Sequence, residues 1–188
     1  MSHAIYQTSA LILKTSNTKE SDKFIYLYTE KFGLIYATMQ SLRELKSKMR
    51  YHIHPYSLVE VDLVSGKHIW RVTGVHEKIS AFKFIETPWY SLISIISETL
   101  VRLCAGEEQN ESLWNDIDLF FNNLSLENEV HIKEYEIITM VRILYSLGYW
   151  DDIDELLKLK NPYTAETFLK VRKKNLSYIK KINQSLYD

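Results

Sequence analysis

One cysteine, Cys104, stands in the 188-residue sequence. A single thiol excludes an intramolecular disulfide and any zinc site built from several cysteines. It sits in the apolar run "SETLVRLCAG", where a buried structural thiol is expected rather than a nucleophile. The phosphate-loop pattern GxxxxGK[ST], the GxSxG elbow and the HExxH zinc helix are all missing. No catalytic constellation emerges, and the expectation is a protein that is not an enzyme. No apolar run approaches the roughly 20 residues that span a bilayer. The opening "MSHAIYQTSALILKTS" lacks a basic segment followed by a long apolar core, so no secretory signal is expected. The chain reads as cytoplasmic with no membrane association, and no repeat or low-complexity segment interrupts it.

What is present suits a packed core: 46% hydrophobic residues against 25% charged. The formal net charge of -1 conceals a division along the chain. Residues 1–80 hold 11 Lys and Arg against 7 Asp and Glu; residues 81–157 hold 4 against 15; residues 158–188 hold 8 against 2. Two basic blocks flank an acidic one.

The first 80 residues carry strand signals. "SALILKTS" is a short apolar run, and "DKFIYLYT" alternates Phe24, Tyr26 and Tyr28 against Ile25 and Leu27. "EKFG" reads as a turn in which Gly33 takes a positive φ. "LIYATMQS", "PYSLVEVDLV" and "HIWRVTGVH" follow, the last two joined across "SGK". Five short strands with tight turns predict a small β-barrel, closed or partly open. Helical periods replace them beyond residue 80: Leu92, Ile96, Leu100 and Leu103 after Pro88; Leu113, Ile117, Phe120, Phe121 and Leu124; Tyr135, Ile138, Val141 and Tyr145 up to Gly148. "WDDIDELLKL" predicts a short acidic helix, and Thr164 caps a final helix to about Leu186. The reading is an α+β chain, a barrel over residues 1–80 and an all-α domain over 81–188.

Arg43, Lys46, Lys48 and Arg50 crowd into "SLRELKSKMR" between two strands. Cations at this density neutralise several phosphates and release their counterions; an ordinary solvated loop is the other reading. Tyr26, Tyr28, Tyr36, Tyr51 and Trp70 are candidate platforms for unpaired bases. On the final helix, Phe168, Val171, Ile179, Ile182 and Leu186 form one stripe opposite Lys170, Lys173, Lys174, Lys180 and Lys181. That face suits a second DNA contact or an acidic peptide, unless the helix simply docks by its apolar side. His52 and His54 share one face if they lie on a strand, yet lack close metal-ligating neighbours. Asp116, Asp118, Asp151, Asp152, Asp154 and Glu155 read as solvated helix faces and first-turn charges rather than a nuclease metal site.

The run "ALILKTSNTKESDKFIYLYTEKFGLIYATMQSL", the basic segment and "HPYSLVEVDL" together resemble the bacterial recombination mediator family RecO. The resemblance rests on "KESDK", on Thr29-Glu30-Lys31-Phe32-Gly33, on Arg43, Lys46, Ser47, Lys48 and Arg50, and on Pro55-Tyr56, in that order over about 75 residues without gaps. "YEIITMVRILYSLGYWDDIDEL" is similar to the family's later Leu-Gly-Tyr element. The resemblance implies an N-terminal OB-fold and a helical C-terminal domain. It also implies a mediator that binds single- and double-stranded DNA, anneals complementary strands, contacts RecR and helps load the recombinase. DNA contact is expected at Arg43, Lys46, Lys48 and Arg50, with Lys14, Lys23 and Arg71 as neighbours. The acidic, aromatic-ended tail of single-strand-binding protein is expected at Lys170, Lys173 and Lys174. Many members carry a four-cysteine zinc module where this chain has "LLKLKNPYTAET", so a short form without metal or other cofactor is expected. Two other readings stay open: an OB-fold RNA-binding protein, and a protein adaptor of the recombination machinery.

Overall fold

A computed structural model of the chain describes residues 4–17, 23–39, 53–67, 69–159 and 161–187. The chain divides into two compact units, Met1–Gln109 and Asn110–Asp188.

The first unit is an OB-fold. Its strands are β1 (Ile5–Asn17), β2 (Lys23–Thr29), β3 (Gly33–Met39), β4 (Leu58–Ser65) and β5 (Trp70–Ile79). They close into a barrel in the order β1-β2-β3-β5-β4. Every pairing is antiparallel except β3 with β5, a parallel contact through Ala37↔Trp70 and Thr38↔Arg71. Alternation decides the interior: Ala10 and Ile12, Ile25 and Leu27, Ile35 and Ala37 point inward and are almost wholly buried.

The opposite face of β1 is buried too. Leu11 and Leu13 are 0% and 2% exposed, because helix α1 (Pro88–Leu103) packs on that strand. Pro88 occupies the first helical turn, where its missing N–H loses nothing, and the Thr87 hydroxyl accepts the Trp89 N–H. The helix buries Trp89, Leu92, Ile93, Ile96 and Leu100, apolar side chains worth about 1.5–3 kcal/mol each when fully covered. The strand-to-helix change expected near residue 80 coincides with the end of β5 at Ile79, while the compact units divide later, after α1 has docked on the barrel.

The second unit holds α2 (Glu111–Asn122), α3 (Ile132–Ser146), α4 (Ile153–Lys158), α5 (Ala165–Lys173) and α6 (Asn175–Tyr187). Helix α3 runs through its centre, with Ile138, Val141, Ile143 and Leu144 at 0% exposure, and α2, α5 and α6 pack against it. Asn110, Asp152 and Thr164 cap α2, α4 and α5 with side-chain oxygens.

Three expectations are corrected here. The single long C-terminal helix is two helices broken at Lys174. Tyr178 and Ile182 turn inward, whereas Ile179, assigned to the buried stripe, is 43% exposed. Asp116 is not on a solvated face: it is 6% exposed and held by Arg142, whose Nε donates to Oδ1 at 2.7 Å, and by the Ser146 hydroxyl at 3.0 Å. Such a pair must be complete, because a charge left alone in the interior is strongly destabilising. His54 lies before a turn rather than on a strand, its ring 5.8 Å from that of Phe82, and His52 lies outside the described residues.

Candidate nucleic-acid interface

Strand register places an outward-facing row across the barrel, with Lys14 and Tyr36 exposed and Tyr26 half-buried. Lys14 on β1 pairs with Tyr26 on β2, and Tyr26 pairs with Tyr36 on β3. The next outward row runs from Ser16 to Phe24, Thr38 and Arg71 on β5. On β2, β3 and β5 the rows have the parity opposite to the core residues Ile25, Ala37 and Val72, and on β1 the register shift between Ile12 and Lys14 turns Lys14 and Ser16 to the same outward side.

Phe24, Tyr26 and Tyr36 form a cluster on this face. Phe24 and Tyr36 lie nearly parallel, 22° apart with ring centres separated by 6.1 Å. Tyr26 stands edge-on to both, at 5.3 Å and 5.0 Å. The Lys14 ammonium lies 5.9 Å from the Tyr26 ring centre, within cation–π range. Lys14 and Arg71 are exposed and make no ion pair with a carboxylate among the described residues.

Of the expected site residues, the fold therefore joins Lys14 and Arg71 on the flanks of one aromatic strip. Lys23 has the inward parity of Ile25 at the start of β2, paired with Asn17 and Met39, and does not share that face. Arg43, Lys46, Lys48 and Arg50 lie outside the described residues, as does Tyr51. Two of the other proposed platforms serve the fold instead. Tyr28 is 1% exposed, and its hydroxyl is pushed up by burial and then by the nearby Cys104. Trp70 packs with Phe32 at 4.9 Å and Tyr6 at 5.7 Å against the barrel core, and its indole N–H donates to Glu107 at 3.1 Å. Phe24 shares this outward face, a placement that its alternation with Ile25 makes visible in the sequence.

The chain around the basic segment is anchored. Met39, the last residue of β3, is 1% exposed, and Ile53 is 2% exposed. Pro55 and Tyr56 then form a turn in which Tyr56 has φ 73° and the Ser57 N–H donates to the His54 carbonyl. That is the type II pattern, with proline second and a left-handed residue third. A tyrosine in that conformation costs about 1–2 kcal/mol. Its N–H donates to the Ile12 carbonyl at 2.6 Å, its oxygen accepts from Ser94 at 3.1 Å, and its ring meets Tyr90 edge-on at 5.3 Å. The turn thus ties the exit of the basic segment to β1 and α1.

In the second unit the expected peptide-binding lysines are partly committed. Lys170 pairs with Glu166 at 2.7 Å, and Lys174 with Glu155 at 2.7 Å, while Lys173 is exposed. Burial alone would raise the Glu155 carboxyl, but hydrogen bonds from Lys174, Tyr178 and Lys158 outweigh it and bring it down to about 2. Leu169, Leu176 and Ile179 are exposed on the same two helices. The four-cysteine zinc module that the resemblance implies for many members would need four thiolates. This chain has only Cys104, whose thiol burial pushes up to about 11, away from the form that binds a metal. The residues present do not fit that group. Among the described residues, no helix is long and apolar enough to cross a membrane.

Residues 1–77 match the family model described as Recombination protein O N terminal. The chain is 27% identical over 157 residues to the DNA repair protein RecO of Clostridium novyi, covering 81% of this chain and 59% of that protein. It is 24% identical over 175 residues to the DNA repair protein RecO of Clostridium perfringens, covering 90% of this chain and 69% of that protein. Similarity rises to 36% over 69 residues with the namesake from Dehalococcoides mccartyi, 37% of this chain and 27% of the relative. The chain thus spans roughly 60–70% of the length of the two clostridial relatives. The order of the barrel strands, the family-model match over residues 1–77 and the similarity continuing into the helices agree: the chain is similar to bacterial RecO proteins, and its barrel matches their N-terminal domain.

Proposed function

We propose that this chain is a DNA-binding mediator of recombinational repair, working without catalysis of its own. The outer face of β1, β2, β3 and β5 is the DNA track. Lys14 and Arg71, with Arg43, Lys46, Lys48 and Arg50 from the basic segment and Lys23 at its margin, neutralise backbone phosphates. Such contacts read charge rather than sequence. The acidic middle of the chain repels the polyanion and confines it to the barrel. Two strands held with their charge neutralised and their bases accessible can pair, which is how annealing follows. Loading of the recombinase proceeds with RecR in the cytoplasm. The acidic tail of single-strand-binding protein docks on the second unit, where exposed Leu169, Leu176 and Ile179 offer apolar surface beside Lys173, with Lys170 and Lys174 exchanging their internal carboxylates for the tail's. Titration with the isolated tail peptide that shifts no resonance of α5 or α6 would remove that assignment.

The observation that carries the DNA reading is the register that sets Lys14 and Arg71 on either side of Phe24, Tyr26 and Tyr36. The experiment is a fluorescence-anisotropy series with single-stranded DNA at several salt concentrations. Replacing Arg43, Lys46, Lys48 and Arg50 with Ala lowers the salt slope by about three units, at roughly 0.7 per phosphate contact on single strands. An unchanged slope would take the basic segment out of the track.

A further inference from the structure

Resting on that DNA-binding reading, we infer that Phe24, Tyr26 and Tyr36 are specificity-determining residues: they stack unpaired DNA bases and make the barrel face prefer a single strand over a duplex. The argument starts from what an outward strand face ordinarily carries. Alternation puts polar residues there, and Phe24 has no polar atom at all. The bland account is an aromatic ladder that stabilises the sheet, since cross-strand ring pairs contribute about 0.5–1.5 kcal/mol. That account explains the edge-on contacts of Tyr26 but not the rest. Tyr36 remains 42% exposed, so the cluster does not bury itself. The cluster is also bracketed by Lys14 on β1 and Arg71 on β5, neither held by a carboxylate among the described residues. The ladder accounts for Lys14 through its contact with the Tyr26 ring, but it leaves Arg71 on the other flank unexplained. A nucleic-acid strand needs both, with the phosphates on the cations and the bases on the rings.

The dimensions agree. β1 and β5 are separated by β2 and β3, and Arg71 lies one outward row from Lys14, so the path along the sheet is about 16 Å at ~4.8 Å per strand and ~3.3 Å per residue. That is the rise of about four to five stacked bases, fewer in an extended strand. Tyr26 braces both partners edge-on, which holds Phe24 and Tyr36 within 22° of parallel and pre-sets the platform. A duplex keeps its base faces inside the stack and offers this surface only its phosphates. The cations therefore serve both forms of DNA, and the rings serve one.

The test uses the full chain and three labelled probes of 20 nucleotides per strand: oligothymidylate, the same backbone with abasic residues, and a duplex. The expected result is that removing the bases weakens binding to the wild-type protein by at least roughly fivefold, the effect of a single stacked base. Phe24→Ser/Tyr26→Ser/Tyr36→Ser is expected to bind oligothymidylate as weakly as the wild type binds the abasic strand. Its duplex affinity stays within about twofold and its salt slope is unchanged, neither of which a merely structural role preserves. Equal wild-type affinity for the abasic and base-bearing strands overturns the inference while leaving the DNA-binding reading standing. So does a folded triple variant that loses single-strand and duplex binding equally. If the variant does not fold, the wild-type comparison decides alone. No binding to any probe refutes the DNA-binding reading, and this inference with it.

Discussion

Gly33 opens β3, and replacing it tests how that strand is held. Its φ is +65°, a conformation that costs a residue with a Cβ about 1–2 kcal/mol. The added methyl would also lie 2.1 Å from the Glu108 carbonyl oxygen, 2.7 Å from its carbon and 2.9 Å from its nitrogen. All three are backbone atoms, so no side-chain rotation relieves the clash. Residues 106–108 must retreat, with overpacking of about 1–3 kcal/mol. Their retreat strains the 3.0 Å bond from the Leu34 N–H to the Gly106 carbonyl, worth about 0.5–1.5 kcal/mol. Together Gly33→Ala should destabilise the first unit by roughly 3–6 kcal/mol, a large share of the ~5–15 kcal/mol that holds a typical domain. Urea unfolding followed by tryptophan fluorescence reads this directly, because Trp70 donates to Glu107 in the affected segment. The midpoint should fall by about 1 M or more, given slopes of ~1–3 kcal/mol/M. Gly106→Ala is the control: its φ is +114° but nothing lies within 4 Å of the new methyl, so only the conformational strain remains. A Gly33→Ala midpoint no lower than that of Gly106→Ala would refute the close approach as the reason for this glycine.

Asp116→Ala leaves the Arg142 guanidinium without its carboxylate and should cost about 3–5 kcal/mol, whereas Asp116→Leu/Arg142→Met should recover most of it, measured as thermal midpoints of the three proteins. Glu155 has a depressed carboxyl, so its contribution is fully present above its unfolded value near 4.5 and is lost as pH falls toward about 2. Glu155→Gln should therefore flatten the acid limb of stability between those values, read by unfolding at pH 6, 4 and 3. Lys14→Ala/Arg71→Ala should lower the salt slope for single-stranded DNA by about 1.4 units and leave the unfolding midpoint near that of the wild type.

The barrel was legible because its strands follow local rules. Alternation in "DKFIYLYT" set Ile25 and Leu27 inside, and Gly33 marked the turn that needs a positive φ. Pro88 and Thr164 likewise announced helix starts through local chemistry. What escaped was decided at a distance. Lys174-Asn175 holds neither glycine nor proline, and the helix breaks there where Lys174 and Tyr178 both reach Glu155, 19 and 23 residues earlier. Asp116 looked solvated because its partner Arg142 is 26 residues away. Tyr28 and Tyr26 share one alternating run, yet Tyr28 is buried and Tyr26 remains partly open, a difference that strand alternation alone does not encode. The candidate site showed the same split. Its cations were recognisable one by one, but only strand register joins Lys14 to Arg71 and sets Lys23 apart.

The most direct test of the barrel face as the DNA track is a backbone amide NMR titration of the isotope-labelled chain with short oligothymidylate at low salt. Perturbations should concentrate at Lys14, Phe24, Tyr26, Tyr36, Thr38 and Arg71 and leave Tyr90 and Ser94 on α1 unmoved. Shifts confined to α1 or to the second unit, with those six residues silent, would contradict the account.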